Sequence, residues 1–174
     1  MTRRETRAAQ ADFEDFVRAR TPALSRTAYL LTGDAHLAED LVQTALFKAA
    51  RAWHRIDGDP EPYVRRTMYH QNVSWWRRRR HVTEHGLGSY DAPHRADEVA
   101  AADLRVPLRE ALDRLTPRQR SVVVLRYVED LTERETADAL GIRPGSVKSI
   151  AREALAKLRT TSPGLADLAG GGAR

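Results

Sequence analysis

Apolar residues return every three or four positions along most of this chain, a spacing that places them on one face of a helix and on both faces of a strand. From Ala11 to Arg55 the series runs Phe13, Phe16, Val17, Leu24, Ala28 and Leu31, then Leu37, Leu41, Ala45, Ala49 and Trp53. Thr32, Gly33 and Asp34 interrupt it, with Asp34 placed to cap a second helix. Gly58 and Pro60 mark the segment Arg55 to Glu61 as an ordered loop, and Pro62 opens a third helix that is expected to end near Arg80.

Residues 81–103 break the pattern. Gly86, Gly88 and Pro93 fall among few large apolar residues, and Glu84, Asp91, Asp97, Glu98 and Asp103 outnumber Arg95. This is the composition of a flexible acidic linker. Helical spacing resumes near Leu104 with Leu108, Ala111, Leu112 and Leu115. Thr116-Pro117-Arg118-Gln119 and Thr132-Glu133-Arg134-Glu135 then each spell a capping box, so two further helices start there. The run Val122 to Leu125 favours a strand by propensity, but its position just after a capping signal predicts helix. A last helix is expected from about Pro144 to Leu158, and the glycine-rich end from 160 to 174 reads as a frayed tail. The fold expected is therefore all-α in two small helical domains. A three-helix N-terminal bundle (11–80) and a C-terminal helix-turn-helix bundle (104–159) are joined by the linker.

Charge narrows the function. The chain carries a formal net charge of +5 and a pI near 10.0, which points to a polyanionic partner. Among its 29 basic residues only Lys48, Lys148 and Lys157 are lysines, and arginine is the better bidentate ligand for phosphate and guanine. There is no cysteine, hence no disulfide, thiolate metal site or thiol chemistry, in keeping with a cytoplasmic protein. The opening MTRRETRAAQ has no apolar core of a signal peptide, and no run is long enough to span a bilayer, so neither export nor membrane insertion is expected.

Two constellations carry chemistry. In TERETADALGIRPGSVKSI, Ala137 is small where a second helix must cross, and Gly141 can take the left-handed conformation of a sharp turn. Leu140, Ile142, Val147 and Ile150 fill the space between the helices. Arg143, Ser146, Lys148, Ser149 and Arg152 are left at the outer face or N-terminal end of the second, where a major groove would meet them. An ordinary helical hairpin would bury the same small residues without binding DNA. On the third helix, Val64, Met68, Gln71 and Trp75 share an inward spacing, and Arg65, Tyr69, Asn72 and Trp76 form the adjacent stripe. Pro62 to Arg80 holds six arginines and no acid, and rings beside arginines suit a single strand, whose bases stack while its phosphates are neutralised. The plain alternative is a solvated basic helix end with a tryptophan that packs.

His81-Val82-Thr83-Glu84-His85 spells the inverted zinc-peptidase motif, the basis of a remote reading as a small zinc hydrolase. It lies at the mouth of the linker, without a stable helix or further ligand to support it. No glycine-rich phosphate loop or nucleophile triad is present, and neither cofactor nor metal is expected.

In order and spacing, Ala38-Glu39-Asp40-Leu41-Val42-Gln43 together with Leu115-Thr116-Pro117 through Gly145-Ser146-Val147-Lys148-Ser149 resemble a bacterial RNA polymerase sigma factor of the extracytoplasmic-function (ECF) group, over about residues 11–159. The resemblance implies a non-enzymatic factor that binds core RNA polymerase and directs promoter recognition and strand opening. The two lobes would correspond to sigma regions 2 and 4. It maps core polymerase docking to Asp40, Leu41, Gln43 and Phe47. It maps capture of the melted minus-ten element to the loop Arg55 to Glu61 and the third helix, with Arg55, Asp57, Arg65, Arg66, Tyr69, His70, Asn72, Trp76, Arg77 and Arg78. It assigns the duplex minus-thirty-five element to Arg143, Pro144, Ser146, Lys148, Ser149 and Arg152, and admits an anti-sigma factor as a further partner. Three residues depart from the family pattern: His70 stands where relatives carry Asn, Arg143 where a Ser or Thr caps the recognition helix, and Thr136 where an Ile or Val underlies the turn. A stand-alone helix-turn-helix repressor or activator is the rival reading.

Overall fold

A computed structural model of the chain describes residues 3–84 and 106–161, with side chains described over 7–78 and 108–161. Seven α-helices occur among them and no strand: α1 (Arg3–Thr32), α2 (Ala35–Ala52), α3 (Glu61–Glu84), α4 (Val106–Asp113), α5 (Pro117–Tyr127), α6 (Glu133–Leu140) and α7 (Pro144–Thr161). A single 3-10 turn, Trp53–Arg55, extends α2.

In the first lobe α1 and α2 are joined by a tight turn in which Gly33 has φ +71°, a conformation that a side chain would strain. The Asp34 carboxylate accepts from the Leu37 N–H at 2.8 Å and caps α2 as its position in the sequence predicts. Alanines at 28, 38, 45 and 49 are all buried, so the helix backbones approach closely around Leu24 and Leu41. Val64, Met68 and Val73 of α3 close the bundle. Truncating any one of the fully buried Leu24, Leu41 or Met68 to alanine should cost about 2–5 kcal/mol. Phe13 and Phe16 of α1 meet Trp53 at ring-centroid distances of 5.0 and 5.4 Å, which pins the far end of α2 and the start of the following loop.

Both capping boxes of the second lobe form: Thr116 with Gln119 at the start of α5, and Thr132 with Glu135 at the start of α6. The run Val122 to Leu125 is helical and almost completely buried, on a helix that packs against α7 and α1. Gly141 ends α6 at φ 62°, and Ala137 is 1% exposed beneath the crossing helix. These are the small-residue constraints of a helix-turn-helix.

Three boundaries differ from the expectation. The first helix begins at Arg3 rather than near Ala11, because the polar residues before Phe13 are good helix formers. Helix α3 continues to Glu84, so residues 81–84, assigned to the linker, are helical; an unbroken run of arginines contains nothing to stop a helix. Helix α7 extends to Thr161 rather than Leu158. The rest of the linker and the tail from 162 onward lie outside the described residues.

The lobes are packed together. α5 lies on α1 and α6 on α3, and the buried residues of both lobes form one continuous apolar cluster. Gly33 is a seat in this contact: a Cβ there would stand 1.9 Å from a guanidinium nitrogen of Arg120. Arg120 is 7% exposed and is held in place by its own lobe, donating to the Leu112 carbonyl at 3.0 Å and to the Asp113 carboxylate at 2.6 Å.

Candidate nucleic-acid and polymerase interfaces

Helix α2 presents Asp40, Gln43 and Phe47 on its solvent side, with Phe47 64% exposed and Arg51 5.9 Å from the centroid of its ring. A large apolar ring left in water beside polar residues is the signature of a docking edge. Leu41 is a correction to the expected set. It is fully buried between α1, α2 and α3, so it shapes this edge from beneath and offers no surface to a partner. Helical register explains why: Leu41 follows Leu37 and precedes Ala45 on the core stripe, whereas Asp40, Gln43 and Phe47 lie on the next stripe round.

The single-strand candidates of the first lobe divide into two groups. Arg55, Asp57, Arg66, His70, Arg77 and Arg78 are exposed. Tyr69 and Asn72 are buried, and Arg65 and Trp76 are half-buried, all four on the side of α3 that meets the second lobe. Asn72 donates to the Ser121 hydroxyl at 3.1 Å, and Arg77 donates to the Leu140 carbonyl at 3.3 Å. Trp76 lies against the shared core with its indole N–H buried and unpartnered, its ring carrying the Arg77 guanidinium at 5.7 Å.

The polar centre of this contact is Glu129, in the turn between α5 and α6. Asp130, the next residue, has φ 53°, which Asp tolerates better than most residues and which turns the chain back toward α3. Glu129 accepts hydrogen bonds from Thr27 at 2.8 Å, from Tyr69 at 2.8 Å and from Arg65. Arg65 also pairs with Glu61 at 2.8 Å, and Glu61 with Arg20 at 3.1 Å, so charges alternate along a chain of four side chains. The Tyr69 phenol is raised above its ordinary range, first by burial and then by the neighbouring Glu129 charge. Burial works against the charge on Arg65, yet the hydrogen bond to Glu61 and the Glu129 carboxylate hold its pKa above the ordinary value. Sequence reasoning missed Glu129 and Arg120 because nothing local marks a residue whose partners lie some 60 to 100 positions away.

On the second lobe, Arg143, Pro144, Lys148 and Arg152 are exposed, while Ser146 and Ser149 are half-buried on the same side of α7. The Arg143 carbonyl accepts from the N–H groups of Ser146 and Val147, so the first turn of α7 closes on the backbone. Lys148, Arg152 and Arg159 of α7 share a shallow surface with Arg126 of α5 and Glu133 of α6, four cationic groups to one carboxylate. Thr136, under the turn, is fully buried and its hydroxyl has no partner.

The zinc reading rests on residues that lie mostly outside the described set: His81 and Glu84 fall in α3 with side chains not described, and His85 lies beyond it. Among the described residues no group of three or more metal-ligating side chains is gathered. No described helix is long and apolar enough to cross a membrane.

Comparison with known proteins agrees with this geometry. Residues 16–82 match the family described as Sigma-70 region 2, and residues 105–158 match Sigma-70, region 4. The chain is 40% identical to the RNA polymerase sigma-E factor of Streptomyces coelicolor over 150 residues, covering 85% of this chain and 84% of that one. It is 35% identical over 147 residues to the ECF RNA polymerase sigma factor SigL of Mycobacterium tuberculosis, covering 79% and 81%. Among solved structures, the sigma factor RpoE of Bartonella quintana, crystallised with the anti-sigma factor NepR, superposes with a TM-score of 0.63 at 25% identity, over 86% of this chain and 95% of that one.

Proposed function

This chain belongs to the sigma-70 family of RNA polymerase sigma factors, in its ECF group, and from that premise we propose which surfaces carry its role in promoter recognition during transcription initiation. Residues 11–84 act as the region 2 body and 104–161 as the region 4 body, with 85–103 as the linker and 162–174 as a tail. The edge of α2 formed by Asp40, Gln43 and Phe47 docks on core RNA polymerase. The loop from Arg55 and the stripe of α3 that carries Arg65, Tyr69, Asn72 and Trp76, beside the exposed Arg66, Arg77 and Arg78, hold the opened minus-ten strand, the aromatic rings stacking on bases and the arginines meeting phosphates. Helix α7 enters the major groove of the minus-thirty-five element with Lys148 and Arg152.

The observation that carries this reading is the division of labour between the lobes. One carries on α3 aromatic rings beside two blocks of arginines, and the other offers an exposed cationic recognition helix. A single strand and a duplex call for those two surfaces respectively. The chain supplies no catalytic group, works in the cytoplasm, and takes an anti-sigma factor as a further partner, as RpoE of Bartonella quintana does with NepR.

Run-off transcription with purified core enzyme tests the assignment. Addition of the chain should give start-site-specific transcripts, which Trp76→Ala and Arg152→Ala each reduce. Transcription unaffected by both substitutions would overturn the assignment. A footprint on a two-fold symmetric site by the chain alone would favour a repressor instead.

A further inference from the structure

Four glycines fall among the described residues, and three of them are required by the fold. Gly33, Gly58 and Gly141 all have positive φ, where any side chain is strained. Gly145 differs. It is exposed in the first turn of α7, its φ is not positive, and a Cβ built on it would meet no atom within 4 Å. The turn around it is formed, since the Arg143 carbonyl accepts from the N–H groups of both Ser146 and Val147. A glycine in such a place loses more conformational freedom on folding than alanine would, and no packing within the chain offsets the loss. The chain therefore gives up helix stability at Gly145 for something outside itself. Helical register shows where that something lies. Gly145 stands three residues before Lys148 and seven before Arg152, so the three share one stripe of α7. The same stripe continues through Leu155 to Arg159 and borders the open cationic surface.

We propose that Gly145 is the position of closest approach between α7 and the promoter duplex. Its missing side chain lets the first turn of the helix settle against the base edges on the floor of the major groove, so that Lys148 and Arg152 reach their partners. The proposal rests on the assignment of α7 to the minus-thirty-five element and names the residue that sets the depth of that helix. A recognition helix contacts base edges with its N-terminal residues, and Gly145 is the second residue of α7. Glycine is the residue that admits close approach of a backbone to another molecule. Each carbon added there would stand the helix off the groove floor. Lys148 and Arg152 would lose contact together, because both project from the stripe that Gly145 begins. Gly145 is thus a positioning residue, which acts through the fit of its neighbours and offers the duplex no side chain of its own.

Stability and duplex binding should then move in opposite directions. Gly145→Ala should raise the Tm of the full chain by about 2 °C, because alanine is the better helix former. The probe for binding is a labelled duplex spanning the upstream element of a promoter identified by run-off transcription, titrated with holoenzyme. Gly145→Ala should weaken that binding about tenfold, the worth of one good base contact. Gly145→Leu, also a good helix former, should keep most of the gain in Tm and lose more affinity than Gly145→Ala. Arg152→Ala serves as the reference, since it weakens the same duplex without altering Gly145. In the double variant Gly145→Leu, Arg152→Ala the two losses should fall short of their sum, because a helix already lifted has no Arg152 contact left to lose. Fully additive losses overturn the positioning role. A higher Tm with unchanged affinity in both Gly145 variants, while Arg152→Ala still weakens binding, overturns the close approach and leaves the assignment of α7 standing. If Arg152→Ala is without effect as well, that assignment falls with it. A lower Tm for Gly145→Ala also overturns the proposal, since the glycine would then serve the fold.

Discussion

Tyr69 and Glu129 are 60 residues apart in sequence and 2.8 Å apart between phenol oxygen and carboxylate, the one on α3 and the other in the turn after α5. A phenol buried beside a carboxylate must keep its proton, since ionising would set two negative charges together in a poorly solvated space. Burial is the largest cause of the raised Tyr69 pKa, and Glu129 adds to it.

This fixes a pH dependence and its sign. The folded-state pKa of Tyr69 lies above its ordinary value of 10.0, so its contribution to stability is fully present below that pH. It is lost as pH rises through the folded value, because the unfolded chain releases the proton first. Denaturant midpoints measured between about pH 9 and 12 should fall for the native chain and fall less steeply for Tyr69→Phe. Glu129→Gln should restore only part of the ordinary titration, as burial persists. Equal slopes for native chain and Tyr69→Phe would show that Tyr69 titrates alike folded and unfolded.

Thr136 gives a stability prediction of the opposite kind. Its hydroxyl is fully buried under the turn with no hydrogen-bond partner, so it bears a desolvation cost with nothing to offset it. Thr136→Val keeps the shape and removes the orphan, and should stabilise the chain by about 1 kcal/mol. For a domain of this size that raises Tm by roughly 2–4 °C, readable by circular dichroism. A lower Tm would mean the hydroxyl has a water or a relaxed backbone partner.

The α2 edge separates binding from folding. Asp40→Ala, Gln43→Ala and Phe47→Ala change exposed residues and should leave Tm nearly unchanged, while each weakens capture of core polymerase by about 1–2 kcal/mol. Leu41→Ala should do the reverse, lowering stability by about 2–5 kcal/mol through a cavity between α1, α2 and α3. Polymerase pull-down alongside thermal melts distinguishes the two classes, and full-strength capture by all three edge variants would remove this face from the interface.

Much of the fold was legible because its signals are local. Asp34, the two capping boxes and Gly141 each act within a few residues, and each sits where sequence spacing places it. Boundaries were less legible where no stop signal exists: the arginines of α3 are as compatible with four more helical residues as with a linker. Leu41 shows the limit of a motif, since a run matched residue by residue does not say which members face solvent; helical register does. The lobe contact was least legible of all. Its members, Gly33 with Arg120, Asn72 with Ser121 and Glu129 with Arg65, look unremarkable alone, and only the fold brings them together.

The recognition helix carries the last prediction. Lys148 and Arg152 are exposed one turn apart on α7, beside Arg126 and Arg159, and pure phosphate binding would make all four interchangeable. If Arg152 reads a base edge, Arg152→Ala should weaken binding to the upstream promoter element by about 1–3 kcal/mol and relax sequence preference at one position. Lys148→Ala, acting on phosphate, should weaken all duplexes alike and reduce the slope of log K against log salt by about 1. Titrating holoenzyme against a set of single-base upstream variants at several salt concentrations separates the two outcomes. A uniform loss for Arg152→Ala would place it on the backbone, leaving Arg143 and Ser146, at the N-terminal end of α7, as the residues positioned to read sequence.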